Sequence, residues 1–314
     1  MLTVTANSAS ELFAGACRAV LASGKPAAPR GLSTVEVLGA TLILTDPRRR
    51  LVDVPPVRLI NPAFAAAETA WILSGSDAPW IYDYNERLAE YADDGRLMGA
   101  YGPRLRRWHG TTDQLGHVLD TLSRDPGSRR AVIQLYDPET DARGNKDVPC
   151  TLGYRFFLQD GSLHMHTTMR SQDLWLGFCY DIFAATVLHE LLAGWLGAQL
   201  GRYVLSVDSL HLYAADIPRA QSLPPSVTPG PQMPSLATPS ATFDRLLADV
   251  INSENPGSTG WSELAAVMAS YRARKSGAPG TARTLAAVPG PLSAALNRWY
   301  GYLDAGRAAR EARR

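Results

Sequence analysis

Cysteine is scarce in this chain: Cys17, Cys150 and Cys179 are the only three among 314 residues. Three thiols cannot build a disulfide framework, so a packed core must carry stability, and a reducing compartment is expected. A surplus of one charge sign is also missing. Lys plus Arg is 31 and Asp plus Glu is 30, a formal net charge of +1. That balance argues against a general polyanion binder and against an acidic disordered tail. Long clean apolar runs are absent too. The most apolar stretch, 182–200, holds His189, Glu190 and Gln199 and reads as a buried helix, not a membrane span. The opening residues lack the basic start and apolar run of a signal peptide. The expectation is a soluble cytoplasmic protein with no nucleic-acid or membrane partner.

What the chain does contain is periodicity. Ser8 to Glu11 followed by Leu12, Phe13, Ala16 and Val20 has the form of a capped amphipathic helix ending near Gly24. Helical spacing recurs over 62–73, 84–91 and 110–123. Strands are predicted over 35–44, with a kink at Gly39, and over 131–136, 152–158, 163–168 and 203–213. Asp160-Gly161 marks a hairpin turn. A long helix is predicted from Asp181 to Leu200, closed by Gly201. Residues 218–239 are rich in proline and read as a connecting segment. Helices are predicted again over 242–251, 261–271 and 292–302, before a basic tail from Gly306 to Arg314. The expected organisation is an α+β catalytic core over 1–217, a connector over 218–241 and a helical region over 242–314 that packs on the core.

One cysteine stands apart. Cys17 lies on an apolar helix face and Cys179 beside aromatics, as buried cysteines usually do. Cys150 instead follows Pro149 at the start of a predicted strand, amid polar groups. A reactive thiolate needs cations nearby, and Arg170 and the pair Arg129-Arg130 are the candidates. Further clusters follow in order: Ser128-Arg129-Arg130, Arg170-Ser171-Gln172-Asp173-Leu174-Trp175-Leu176-Gly177, Tyr180-Asp181, and His211-Leu212-Tyr213. Each is weak alone; adjacent arginines are usually surface residues, and a lone strand histidine is usually structural. His189-Glu190 has no second histidine at zinc-motif spacing, and His164 and His166 have no ligand partner in sequence, so no metal is expected.

In this order and spacing, the clusters resemble the thymidylate synthase family, from about Arg30 to Tyr213. Glu68, in Glu-Thr-Ala-Trp, and Tyr101-Gly102 add to the match. The resemblance implies that family's α+β fold, with a large mixed sheet, surrounding helices and a homodimer through the sheet face. It implies that Cys150 adds to C6 of a pyrimidine nucleoside monophosphate, so that C5 attacks the methylene of 5,10-methylenetetrahydrofolate, the co-substrate. Arg30, Arg170 and Ser171 would hold the 5′-phosphate, with Arg129 and Arg130 supplied in trans by the second subunit. His211 and Tyr213 would bind the sugar, and Glu68 and Tyr101 would organise water and proton transfer. Asp173, Leu176, Gly177 and Tyr180 would face the folate, with Asp173 also near the nucleotide.

Asp181 departs from the family's deoxyuridylate enzymes, which place asparagine there. An amide offers one donor and one acceptor, matching N3–H and O4 of uracil. An aspartate can accept from the 4-amino group of cytosine and, if it or N3 is protonated, can close the second bond, whereas an ionised aspartate faces the lone pairs of uracil O4. Aspartate is what the family's deoxycytidylate hydroxymethylases carry, and these add water to the exocyclic methylene instead of hydride. The expected reaction is therefore 5-hydroxymethylation of dCMP or CMP, with Asp181 reading the base. A divergent thymidylate synthase or a hydroxymethylase acting on dUMP is the alternative, and a non-catalytic nucleotide-binding homologue is a third reading. Asp181 could instead serve only as a helix N-cap. Thr151, Met169 and Ser209-Leu210 also depart from the family pattern, as does an ending of Ala-Arg-Arg in place of a short apolar tail.

Overall fold

The computed structural model describes residues 2–254 and 256–311. Among them, eight strands form one mixed sheet: β1 (Leu2–Ala6), β2 (Lys25–Ala27), β3 (Thr34–Leu44), β4 (Val132–Gln134), β5 (Thr151–Gln159), β6 (Ser162–Met169), β7 (Gln172–Asp173) and β8 (Gln199–Tyr213). The order is β1-β3-β8-β6-β5-β4, with β2 beside β3 and β7 beside β8. β1 runs parallel to β3, and β6 and β7 parallel to β8; the other pairs are antiparallel. This is the expected α+β class with a large mixed sheet.

The helices among the described residues are α1 (Ala9–Ser23), α2 (Pro62–Leu73), α3 (Tyr101–Arg106), α4 (Gln114–Arg124), α5 (Pro138–Asp141), α6 (Phe178–Trp195), α7 (Ile217–Gln221), α8 (Phe243–Asn252), α9 (Thr259–Lys275), α10 (Pro279–Leu285) and α11 (Pro291–Glu311). None of them is long and apolar enough to cross a membrane. α2 and α6 are buried on nearly every side, so their apolar content comes from enclosure in the core. The Ala312–Arg314 end of the basic tail lies outside the described residues.

Several boundaries differ from the sequence reading. α6 ends at Trp195, not Leu200, because Gly197 takes φ 63° and turns the chain into β8. Gly201 therefore lies inside a strand, where a Cβ would stand 2.5 Å from the Leu163 carbonyl oxygen. Residues 84–91 form no α-helix; two 3₁₀ turns, Pro79–Asp83 and Glu86–Tyr91, flank an extended Asn85. α4 starts after Asp113, whose side chain accepts from Leu115 N and Gly116 N. The hairpin is as expected: Asp160 and Gly161 both have positive φ, as a two-residue turn between twisted strands requires.

The proline-rich segment is tied down along its length. Met233 N donates to Arg48 O at 2.8 Å, Arg49 Nη1 to Gly230 O at 2.6 Å, and Trp195 Nε1 to Thr238 O at 2.8 Å. α9 packs on α2, and Tyr271 stacks on Tyr84 with ring centroids 5.8 Å apart.

Candidate active site

Sheet pairing fixes most of the site. The Met169↔Thr151 pairing and the bond from Arg170 N to Cys150 O (2.9 Å) place the end of β6 beside the start of β5. β7 then continues along β8, with Gln172 opposite Leu210 and Asp173 opposite His211. So Cys150, Arg170, Asp173 and His211 gather at one region of the sheet.

The segment before Cys150 is held from two sides. Arg170 donates from Nε to Pro149 O (3.0 Å) and from Nη2 to Val148 O (2.9 Å). Thr151 N donates to the Tyr101 hydroxyl at 3.1 Å, which ties α3 to the start of β5. Burial raises the Cys150 thiol above its ordinary range; Arg170 and Arg30 oppose this, while Asp181 and Asp147 reinforce it. Arg30 itself sits in the exposed Pro29–Gly31 turn at φ 53°.

Two carboxyls face the same space. Glu68 is the one charged residue of α2, a helix started by Pro62 and capped by Asn61, whose Oδ1 accepts from Ala63 N and Phe64 N. Burial, with the nearby Asp181 charge, pushes Glu68 up to about 8. α6 begins at Phe178 with Gly177 at its N-cap, so Asp181 lies within the first turn and is not the cap. Its Oδ2 accepts from Gln172 Nε2 at 2.8 Å. Burial pushes Asp181 up to about 6; the Gln172 bond lowers it and Asp173 raises it. Burial thus moves Asp181 towards the acid form, which becomes the major form below about pH 6.

The remaining expected residues lie around this centre. The His211 ring is buried and meets Tyr213 edge-on, centroids 5.2 Å apart. Asp173 Oδ1 accepts from Trp175 N and Leu176 N, shaping the turn that leads to Gly177. Leu176 is 44 % exposed. The Tyr180 hydroxyl accepts from Asn61 N at 3.1 Å, and its ring packs on Phe64. Ser171, half-buried, links Arg170 to β7.

Arg129 and Arg130 do not join this group within one chain. They are exposed just before β4, where Ala131 O accepts from Phe156 N, far along β5 from Cys150. They cannot serve the thiolate of their own subunit, which corrects one expectation from the sequence. Residues the sequence reading passed over include Gln172, Tyr154 and Tyr203. Burial raises both tyrosines above their ordinary range, and both feel Asp181. Gln172 stood in the recognised stretch as an unassigned position, and nothing but its burial against Asp181 marks it.

His189 and Glu190 of α6 are both engaged with neighbouring elements. His189 Nε2 bonds Leu163 O at 2.7 Å, and burial lowers the ring to about 3. Glu190 pairs with the fully buried Arg50 and accepts from Leu236 N.

Known proteins resemble this chain over much of its length. A family described as thymidylate synthase matches residues 11–251. A deoxyuridylate hydroxymethyltransferase of Bacillus phage SP01 is 35 % identical over 230 residues, covering 69 % of this chain and 60 % of that protein. One from Pseudomonas phage M6 is 35 % identical over 158 residues, 49 % of this chain and 45 % of that protein. A Bacillus licheniformis thymidylate synthase is 29 % identical over 154 residues, 47 % of this chain and 55 % of that protein. The chain thus spans about half to three-fifths of these relatives. The hydroxymethyltransferases are named for deoxyuridylate, not for the cytosine nucleotide expected from Asp181. The structure supplies a physical reason why that expectation is not forced. The clash with uracil holds only for an ionised aspartate; a carboxylic acid with one O–H and one C=O presents a donor and an acceptor, as an amide does, and burial moves Asp181 towards that form.

Proposed function

The chain belongs to the thymidylate synthase family, and on that premise we propose that it transfers a one-carbon unit from 5,10-methylenetetrahydrofolate to C5 of a pyrimidine nucleoside monophosphate, releasing the 5-hydroxymethyl product. The substrate we favour is dUMP, because two relatives that match this chain at 35 % identity carry deoxyuridylate hydroxymethyltransferase as their name. The observation that carries the chemistry is the convergence of Cys150 with Tyr101, Asp181 and the Arg170 clamp.

In this reading Cys150 Sγ adds to C6, and C5 gains the electron density to attack the methylene that folate supplies. The clamp on Val148 and Pro149 holds the sulfur in place for that attack. Arg30 and Arg170, with Ser171, receive the 5′-phosphate, and its negative charge offsets theirs. His211 and Tyr213 stand where the sugar hydroxyl falls. Glu68, held near 8, keeps a proton at neutral pH and can pass it through Tyr101 and water. Leu176 offers exposed apolar surface for the pterin, beside Gly177, Asp173 and Tyr180. Loss of the C5 proton then expels tetrahydrofolate and leaves an exocyclic methylene at C5 while the sulfur is still bonded to C6; water adds to that methylene, and Cys150 departs as the C5–C6 double bond re-forms, giving the hydroxymethyl group.

A second reading, with dCMP or CMP as substrate, is favoured by Asp181 itself, since an acid can meet the cytosine edge as well. Tritium release from C5-labelled dUMP, dCMP and CMP, with products identified by mass, separates the two. Release from dUMP with a product heavier by CH2O supports the proposal. Preference for dCMP or CMP supports the second reading. A product heavier by CH2, with dihydrofolate formed, would overturn hydroxymethylation in favour of methylation.

A further inference from the structure

We propose that Gln172 is the positioning residue that makes Asp181 read one pyrimidine base and refuse the other. Its amide N–H holds Oδ2 as an acceptor and leaves Oδ1 as the oxygen that carries the acid proton. This inference rests on the nucleotide-binding reading above.

The need for such a residue follows from the chemistry of an acid. Uracil presents an acceptor at O4 and a donor at N3; cytosine presents a donor at N4 and an acceptor at N3. An asparagine has its donor and acceptor fixed by covalent structure. A carboxylic acid does not: if its proton moves between the two oxygens, it complements both bases equally. Discrimination requires that one oxygen be committed.

Gln172 commits it. Nε2 lies 2.8 Å from Asp181 Oδ2 and 3.3 Å from the Asp173 carbonyl oxygen. Gln172 is the one side-chain donor to Asp181 among the described residues. The other titratable groups that face Asp181 are Glu68 on α2, Tyr101 on α3, Cys150 ahead of β5, Tyr154 on β5, Asp173 on β7, Cys179 on α6 and Tyr203 on β8. None of these is a cation that would fix the carboxyl in place of the amide.

Two further observations fit this role. Gln172 is 2 % exposed, and its Oε1 has no partner in the structure. The side chain therefore leaves its own acceptor unsatisfied while spending its donor on Asp181, which a space-filling residue does not require. Gly177 leaves room for the bond. A Cβ there would stand 3.0 Å from Gln172 Nε2 and 3.2 Å from Asp181 Oδ2, against both ends of it.

The test is calorimetric binding of dUMP and dCMP to the full chain, as wild type, Gln172→Met and Gln172→Glu. The wild type is expected to prefer one nucleotide by at least about tenfold. Gln172→Met keeps the volume without the donor, and should bring the two Kd values within about threefold while binding of deoxyribose 5-phosphate stays unchanged. Gln172→Glu, read against the wild type at the same pH, should lack the preference at about pH 6.5, where the new carboxylate cannot donate, and match the wild type at about pH 5, where the new acid can. Should Gln172→Met fail to melt cooperatively, Gln172→Glu carries the comparison, because a purely structural role gives no recovery at low pH. A preference unchanged in the variants, or lost in Gln172→Glu at both pH values, overturns the inference. Binding of neither nucleotide by the wild type removes the substrate reading, and this inference with it.

Discussion

At the scale of single residues, the chemistry divides between side chains whose type is informative and side chains whose surroundings are. Cys150 belongs to the first group. Its proline neighbour and its place before a strand mark it in the sequence, and the structure adds the Arg170 clamp and Tyr101. Cys150→Ala should lower tritium release at least about a thousandfold while leaving the thermal melt close to wild type, as loss of a nucleophile does; a smaller loss would deny it that role. Asp181 and Glu68 belong to the second group. The residue type of Asp181 suggested a base, yet burial moves its ionisation enough to change what it can accept. That is not legible in sequence, because desolvation depends on what packs around the carboxyl. Glu68 yields a stability prediction with a definite sign. Its folded value of about 8 lies above the ordinary 4.5. The carboxylate is therefore more easily formed in the unfolded chain, so Glu68 costs stability above about pH 8 and that cost vanishes as pH falls towards 4.5. Glu68→Gln should raise Tm at about pH 8.5 by several degrees and leave it little changed near pH 4.5. Thermal scans at the two pH values decide this, and an equal shift at both would remove the buried-carboxylate explanation.

At the scale of elements, long periodic segments were readable and short ones were not. β3, α2 and the β5–β6 hairpin fall where apolar spacing and turn residues put them. β1, β2 and β7 contain five, three and two residues. Pairing with neighbours remote in sequence defines them, and no local pattern records it. The end of α6 was misplaced because the apolar run continues past Leu196, while Gly197 takes a left-handed conformation and ends the helix. α6 is then anchored by an ion pair invisible to any motif. Arg50 is fully buried against Glu190, which also accepts from Ser235 Oγ and Leu236 N and so ties the proline-rich segment to the helix. Arg50→Met should therefore destabilise by about 3–5 kcal/mol, because it leaves the buried Glu190 with only the part-exposed Arg48, 3.9 Å away, as a cation. Arg50→Met combined with Glu190→Met should cost less than the single change. Urea melts of the two variants test this, and a double variant no better than the single would mean that the pair contributes only through its bonds to the segment.

At the scale of the whole molecule, the placement of Arg129 and Arg130 poses a question that one chain does not answer. They stand on the exposed approach to β4, near Gly127 and Ser128, beside the far part of β5, the strand whose start follows Cys150. If they bind the phosphate, as the resemblance implies, they bind it in another subunit. A two-fold dimer makes this reciprocal: each subunit lends its arginines and receives its partner's. A complementation experiment follows. Cys150→Ala and Arg130→Ala should each be nearly inactive alone. When equal amounts dissociate and reassociate at random, about half of the dimers are mixed, and each mixed dimer has one site with both an intact Cys150 and an intact Arg130. Activity should return to about a quarter of the wild-type value, measured as tritium release per subunit. The pair also controls for simple loss of folding, because neither variant alone gains activity from reassociation with itself. Mixed dimers confirmed by mass but still inactive would show that Arg130 acts, if at all, within its own chain, where its distance from Cys150 leaves it no part in the reaction.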